Sequence, residues 1–240
     1  MGATRGVDRE DRYVLLSRVL GALAFVALLA GLYAALVYAP REATMGDVQR
    51  IFYFHVASAA AAFLAFFVVF VASVAYLVRR DRQLDNVAAA SAEVGVVFCT
   101  LVLVTGPLWA KPAWGTWWTW DPRLTTTLVL WLIYVAYLML RGAIEEPARR
   151  AAIAAVFGIA GFVDVPIVFM SIRWWRTIHP VIVEGGELQL SPEMVVALVV
   201  SLIAFTLLYA YLLLQRVRLQ RSEDELAELE ADLSYRADLT

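Results

Sequence analysis

Six long apolar stretches, at 15–39, 51–78, 87–109, 124–140, 151–170 and 194–214, constrain this chain more than any other feature. Each reaches the length of about 17 to 25 residues that a helix needs to cross a hydrocarbon core about 30 Å thick. The stretches are apolar throughout instead of alternating, and an open sheet would leave its backbone unsatisfied in lipid, so strands are excluded. Composition agrees: 62% of the 240 residues are hydrophobic and 18% charged, against about 45–50% apolar in an ordinary globular domain. The expected fold class is an all-α integral membrane protein with six transmembrane helices. The first stretch is too long for a signal-peptide core, and Pro40 follows Ala39 where cleavage would fall, so it is read as a retained span.

Charge orients these helices. Arg5, Arg9, Arg12, Arg18, Arg79, Arg80, Arg82, Arg141, Arg149, Arg150, Arg216, Arg218, Arg221 and Arg236 fall at one set of helix ends. Only Arg41, Arg50, Lys111, Arg123, Arg173 and Arg176 fall at the other. Basic residues favour the cytoplasm, which places both termini inside and the sparser set outside. The chain then divides into a six-span membrane unit, 1–214, with outer loops at 109–125 and 171–193, and a cytoplasmic helical tail, 215–240. Leu219, Leu226, Leu229 and Leu233 punctuate that tail among alternating charges. A solvated continuation of the last helix, held by ion pairs one turn apart, is the plain reading, with partner contact the alternative.

The single cysteine, Cys99, rules out an intrachain disulfide and a thiolate metal cluster. Two histidines and a net charge of −2 argue against zinc clusters and a nucleic-acid face. Those histidines share the outer side: His55 at the end of the second span, His179 in the loop after the fifth. Seven of the eight tryptophans join them, namely Trp109, Trp114, Trp117, Trp118, Trp120, Trp174 and Trp175. Anchoring at the membrane interface accounts for one or two per helix end, and covers Trp109 and the in-span Trp131. It does not account for W-G-T-W-W-T-W-D at 114–121.

Two imidazoles beside a broad aromatic surface suit haem, whose iron takes nitrogen ligands on both faces. Its anionic propionates favour nearby cations, and Arg50 and Arg123 are the nearest in sequence to His55 and to the Trp loop, with Lys111, Arg173 and Arg176 further candidates. A carbohydrate also binds on tryptophan platforms but does not call for paired histidines. Around His179, V-I-V, E-G-G-E and L-Q-L read as a small β-hairpin turning at Gly185-Gly186, and Ser191-Pro192 as the cap and first residue of the last helix. Asp121-Pro122 marks a turn in which Asp121 either caps the next helix or accepts from an indole or imidazole. Two carboxyls lie within spans. Glu93 is close enough to the cytoplasmic interface to reach it. Asp164, two residues before Pro166, is either functional or a protonated acid bonded to backbone that the proline frees.

W-G-T-W-W-T-W-D-P-R-L-T at 114–125 resembles the tryptophan-rich WWD signature of the haem-handling proteins of cytochrome c maturation. Size, span number, Q-R-I-F-Y-F-H-V ending at Val56 and S-I-R-W-W-R-T-I-H ending at His179 are similar to their cytochrome c maturation protein C family, also called haem exporter protein C. The resemblance covers most of the chain. It departs at Pro122, where the family commonly has a small residue such as alanine. The extra spans, histidines and outer domains of larger relatives are not found here.

The resemblance implies haem b held at the outer face of the bacterial cytoplasmic membrane, with His55 and His179 as axial iron ligands. Trp114, Gly115, Trp117, Trp118, Trp120 and Asp121 would form the presenting loop. It implies delivery to a periplasmic haem chaperone, beside an ABC-type ATPase and permease and a small single-span subunit. The chain reads as a haem-transfer protein before an enzyme. Competing readings are a membrane b-type cytochrome of quinol electron transfer, which would place histidine pairs inside its bundle, and a small-molecule permease subunit, which would depend on neither histidine. No histidine occupies the inner half of a span, which argues against a histidine ladder across the membrane.

Overall fold

The computed structural model describes residues 2–177, 179, 183–184 and 187–237. Its helices are α1 (Gly2–Tyr33), α2 (Ile51–Arg79), α3 (Arg82–Trp114), α4 (Pro122–Ala143), α5 (Pro147–Phe162), α6 (Asp164–Trp174) and α7 (Pro192–Ala237). A wider π-type turn, Ala34–Tyr38, prolongs α1, and a 3-10 turn, Asp47–Arg50, leads into α2. With α5 and α6 counted as one, six helical segments are long and apolar enough to cross a membrane, as the sequence predicts. The protein is a multi-pass helical membrane protein. Between α6 and α7, Val183–Glu184 and Glu187–Leu188 pair antiparallel. The predicted turn residues of that hairpin, Gly185 and Gly186, lie outside the described residues.

Helix starts follow local chemistry. Asp81, Asp121 and Glu146 accept from backbone N–H groups in the first turns of α3, α4 and α5, each satisfying donors that a helix N-terminus leaves free. Pro122 and Pro147 occupy the first helical position, where no N–H is needed. Ser191 Oγ accepts from Met194 N–H at 3.4 Å, so Ser191-Pro192 opens α7 as expected. The predicted single span at 151–170 is divided at Val163, whose N–H bonds Ala160 O in a tightened turn. Pro166 cannot donate to the carbonyl four residues before it, which breaks the ladder there.

Small residues set the packing. Ala57, Ala61 and Ala65 on α2 and Ala88, Ala92 and Cys99 on α3 are fully buried. A Cβ on Gly95 would lie 2.7 Å from Phe66 Cε1 and 3.0 Å from Ala65 Cβ, so these two helices touch almost backbone to backbone. In lipid, where water offers no drive to bury apolar groups, such close contact is the main source of helix association. Phe66 then stacks on Tyr134 of α4 at 3.7 Å between ring centroids. Gly158 of α5 seats Val69 and Tyr137, and Gly31 of α1 lies against Ser201 and Ala204 of α7. Leu15, Phe25, Val26, Leu29 and Val37 along the first span stay exposed, as a lipid-facing surface should.

The end of the bundle remote from the histidines is tied by ions. Arg141 of α4 makes a bidentate pair with Asp85 of α3, at 2.5 and 2.9 Å, with both side chains nearly buried. The tail continues α7 without interruption, but its first turns are not merely solvated. Arg216 pairs with Glu93 at 2.5 Å, Asp224 accepts from Arg82 and Asn86, and Arg221 reaches Gln83 and Tyr13. Glu93 therefore meets partners on α7. Beyond Asp224, Leu226, Leu229 and Leu233 are exposed, and Asp232 pairs with Arg236 one turn on.

Breaking a buried ion pair by removing one partner costs about 3–5 kcal/mol, because the other charge is stranded. Arg141→Met is thus expected to lower the thermal unfolding temperature of the detergent-purified protein, and Asp85→Leu in the same chain to restore most of the loss. A double variant as unstable as the single one would contradict this account of the pair.

Candidate functional site

Three interhelical connections reach the histidine end: the one after α1, the Trp loop between α3 and α4, and the segment between α6 and α7. His55 lies on the first turns of α2 and is buried, 8% exposed. Its Nδ1 is 2.9 Å from Thr105 Oγ1 on α3. One turn further along α3, the Trp109 ring meets the imidazole edge to face, at 6.0 Å and 62°. His179 follows α6, and its backbone N–H donates to Thr177 Oγ1 at 3.0 Å. The two imidazole centroids are 6.5 Å apart, with ring planes inclined by 33°. Residues separated by more than a hundred positions thus face one another.

Both rings border a cavity of about 270 Å³ enclosed by α2, α3, α4 and α6. Trp109, Trp114 and Trp118 line it on the aromatic side, and Arg123 and Arg173 bring two guanidinium groups. Below the imidazoles it becomes apolar, running past Ala59 and Phe63 to Ala62, Cys99 and Val168. Ala62 is seven residues along α2 from His55, a drop of about 10 Å at the helical rise. The arrangement is a deep apolar slot with two nitrogen donors, indole walls and two cations.

The Trp loop is shaped by its glycine. Gly115 has φ 75°, a left-handed conformation that ends α3, and its N–H bonds Lys111 O. Lys111 Nζ donates to Gly115 O at 3.0 Å, which holds this candidate cation at the helix end. The chain then turns back, with Thr116 Oγ1 donating to Trp118 O. Asp121 is buried and caps α4 through Arg123 N–H, one of the two roles the sequence offers for it. Trp118 sits edge to face with Trp120 at 5.8 Å, while Trp117 and Trp120 are mostly exposed.

The structure brings His55, His179, Trp114, Trp118 and Arg123 together around the cavity, and holds Gly115 and Asp121 as the two ends of the loop. Arg50 is drawn elsewhere. Its guanidinium donates to Ala35 O at 2.7 Å and faces Asp47, so it serves the carbonyls that the π-type turn exposes. Trp109 departs from the interface role expected of it: it is buried, 3% exposed, between His55, Phe52 and Trp114. The helix runs five residues past it, so it lies inside the bundle. Trp131 does keep a polar tie, donating to Thr100 Oγ1. Asp164 Oδ2 is buried with no hydrogen-bond partner among the described residues, so this oxygen does not bond the backbone that Pro166 frees. Thr105 and the apolar floor escaped the sequence reading, whereas Arg173, one of its further candidate cations, lines the cavity. The one signal for Thr105 is a hydroxyl inside an apolar run, a turn before Trp109.

These features define a class: six-span helical membrane proteins with a histidine pair over a tryptophan-walled cavity at one end. The family model for heme exporter protein C matches residues 11–232. Similar proteins named heme exporter protein C occur in Bradyrhizobium diazoefficiens, 39% identical over 83% of this chain and 76% of the relative. Others occur in Rhodobacter capsulatus, 35% identical over 85% and 86%, and in Haemophilus influenzae, 33% identical over 90% of each chain. The chain belongs to the heme exporter protein C family of cytochrome c maturation.

Gly115 is a conformational requirement, since open space surrounds the position a Cβ would take. Gly115→Ala is expected to destabilise the purified protein by about 1 kcal/mol, the cost of a left-handed residue with a side chain. Gly142→Ala, in the last turn of α4 with equal space, is expected to raise stability slightly. Paired melting curves check both, and equal shifts of the same sign would refute the distinction.

Proposed function

We propose that the protein binds haem b in the cavity between α2, α3, α4 and α6, with His55 and His179 as the two axial ligands. The observation that carries this is the 6.5 Å separation of the imidazole centroids across the cavity mouth. Two metal–nitrogen bonds of about 2 Å and two half-rings of about 1 Å add to about 6 Å, so one iron can bridge the pair with little movement. Trp114 and Trp118 flank the macrocycle, the floor takes an apolar edge, and Arg123 and Arg173 face the propionates. The bias of basic residues toward the opposite helix ends supports an outward-facing site. Trp117 and Trp120, exposed at the rim, are then the surface a periplasmic haem chaperone meets.

In this reading the protein is a transfer platform. Haem is cargo, held by ligands that the chaperone can displace, and the ABC-type ATPase and permease and the small single-span subunit complete the system. Family membership supports these partners, and the outward-facing tryptophans support the chaperone.

Optical spectra of the protein purified from cells producing the chaperone test the reading. The parent is expected to show low-spin haem, at about one per chain. His55→Ala and His179→Ala are each expected to lose that spectrum and to leave at least about tenfold less haem on the chaperone, since losing a ligand costs no less than losing a hydrogen-bond partner of one. A parent spectrum retained in either variant, with normal chaperone loading, would remove that histidine from the site.

A further inference from the structure

The hydrogen bond between His55 and Thr105 has a defined direction. Thr105 Oγ1 lies 2.6 Å from Leu101 O, one turn back on α3, and 3.5 Å from Val102 O. A carbonyl can only accept, so the single hydroxyl proton of Thr105 is committed to the helix backbone. What Oγ1 offers His55 is a lone pair. The contact at 2.9 Å is therefore an N–H donated by His55 Nδ1. A neutral imidazole has one N–H, so Nε2 is left bare, with the lone pair a metal requires.

The rest of α3 holds the ring in this pose. Gly106, the next residue, leaves room beside His55: a Cβ there would stand 3.5 Å from His55 Cε1. Trp109, one turn beyond Thr105, packs its ring against the imidazole. Residues 105, 106 and 109 thus form a cradle on one helix for a ligand carried by another. The α2–α3 seam of alanines and Gly95 brings the two helices close enough for it to work.

We infer that Thr105 is a positioning residue that selects the Nδ1–H tautomer of His55 and aims Nε2 at the iron. It acts through His55 and contributes no ligand. The inference deepens the haem-ligation reading above and rests on it. A hydrogen bond from the non-ligating nitrogen orients the ring and raises its basicity, and losing such a partner lowers metal affinity about 10- to 100-fold. A more basic ligand also favours ferric iron, so Thr105 is expected to hold the midpoint potential of the bound haem down.

The experiment compares full-length parent, Thr105→Ser, Thr105→Val, Thr100→Val and His55→Ala, purified in the same detergent. Each is read for haem content, low-spin spectrum, midpoint potential and thermal unfolding. Thr105→Ser keeps the acceptor and is expected to match the parent. Thr105→Val keeps the shape without the acceptor and is expected to retain about 10- to 100-fold less haem, with what remains at a raised potential. Thr100, on the same helix, binds the Trp131 indole instead of a histidine, so Thr100→Val is expected to leave spectrum and potential unchanged. Should Thr105→Val not fold, Thr105→Ala is read in its place. A parent-like spectrum and potential in a folded Thr105→Val, or equal losses in the Ser and Val variants, would overturn the role of Thr105. A parent without low-spin haem, or a His55→Ala variant that keeps it, would instead overturn the ligation reading itself.

Discussion

The near backbone contact of α2 and α3 is the constraint on which the rest depends. Both helices begin or end at the histidine end, and the only way to bring His55 against Thr105 and Trp109 is to let the helix axes approach closely. Ala57, Ala61 and Ala65 on one side and Ala88, Ala92 and Gly95 on the other permit it. The attraction between them is dispersion and tight fit, since lipid is as apolar as the side chains it would replace. Around this pair α4 and α6 add the far wall of the cavity, and α7 closes the back and is pinned at the opposite end by Glu93, Asp224 and their partners. Rigid walls matter to a binding slot, because ligands and platform must be in place before the cargo arrives.

The two histidines of the site are held differently. His55 is buried in a helix and gripped by three residues of a neighbouring helix. His179 lies just beyond the end of α6, with its backbone tied to Thr177.

How much of this could be read from the chain follows from how local each feature is. Six spans are visible because a bilayer imposes a length and an apolar content on every helix. Asp121 and Ser191 are visible as caps because capping is settled within four residues. The histidine pair and the W-G-T-W-W-T-W-D loop stand out by composition alone. Thr105 does not, since a threonine in an apolar helix ordinarily bonds its own backbone, and this one does so while also accepting from a ring 50 positions away. Arg50 misleads for the opposite reason: nearness to His55 in sequence suggests the site, yet the 3-10 turn sends its side chain back to Ala35. Trp109 misleads because helix α3 tolerates Pro107 and Pro112 and continues to Trp114, which moves the indole from the rim to the interior. Contacts between helices decide all three, and these are set by packing that no window of sequence contains.

The central claim is a place: one haem between His55 and His179. A density map of the full-length protein purified with haem, resolved well enough to place the ring, tests it most directly. The account predicts iron midway between the two imidazoles, with Trp118 beside the macrocycle and Arg123 and Arg173 at its propionates. Haem seated on the outer faces of Trp117 and Trp120, or bound with either histidine turned away, would contradict it.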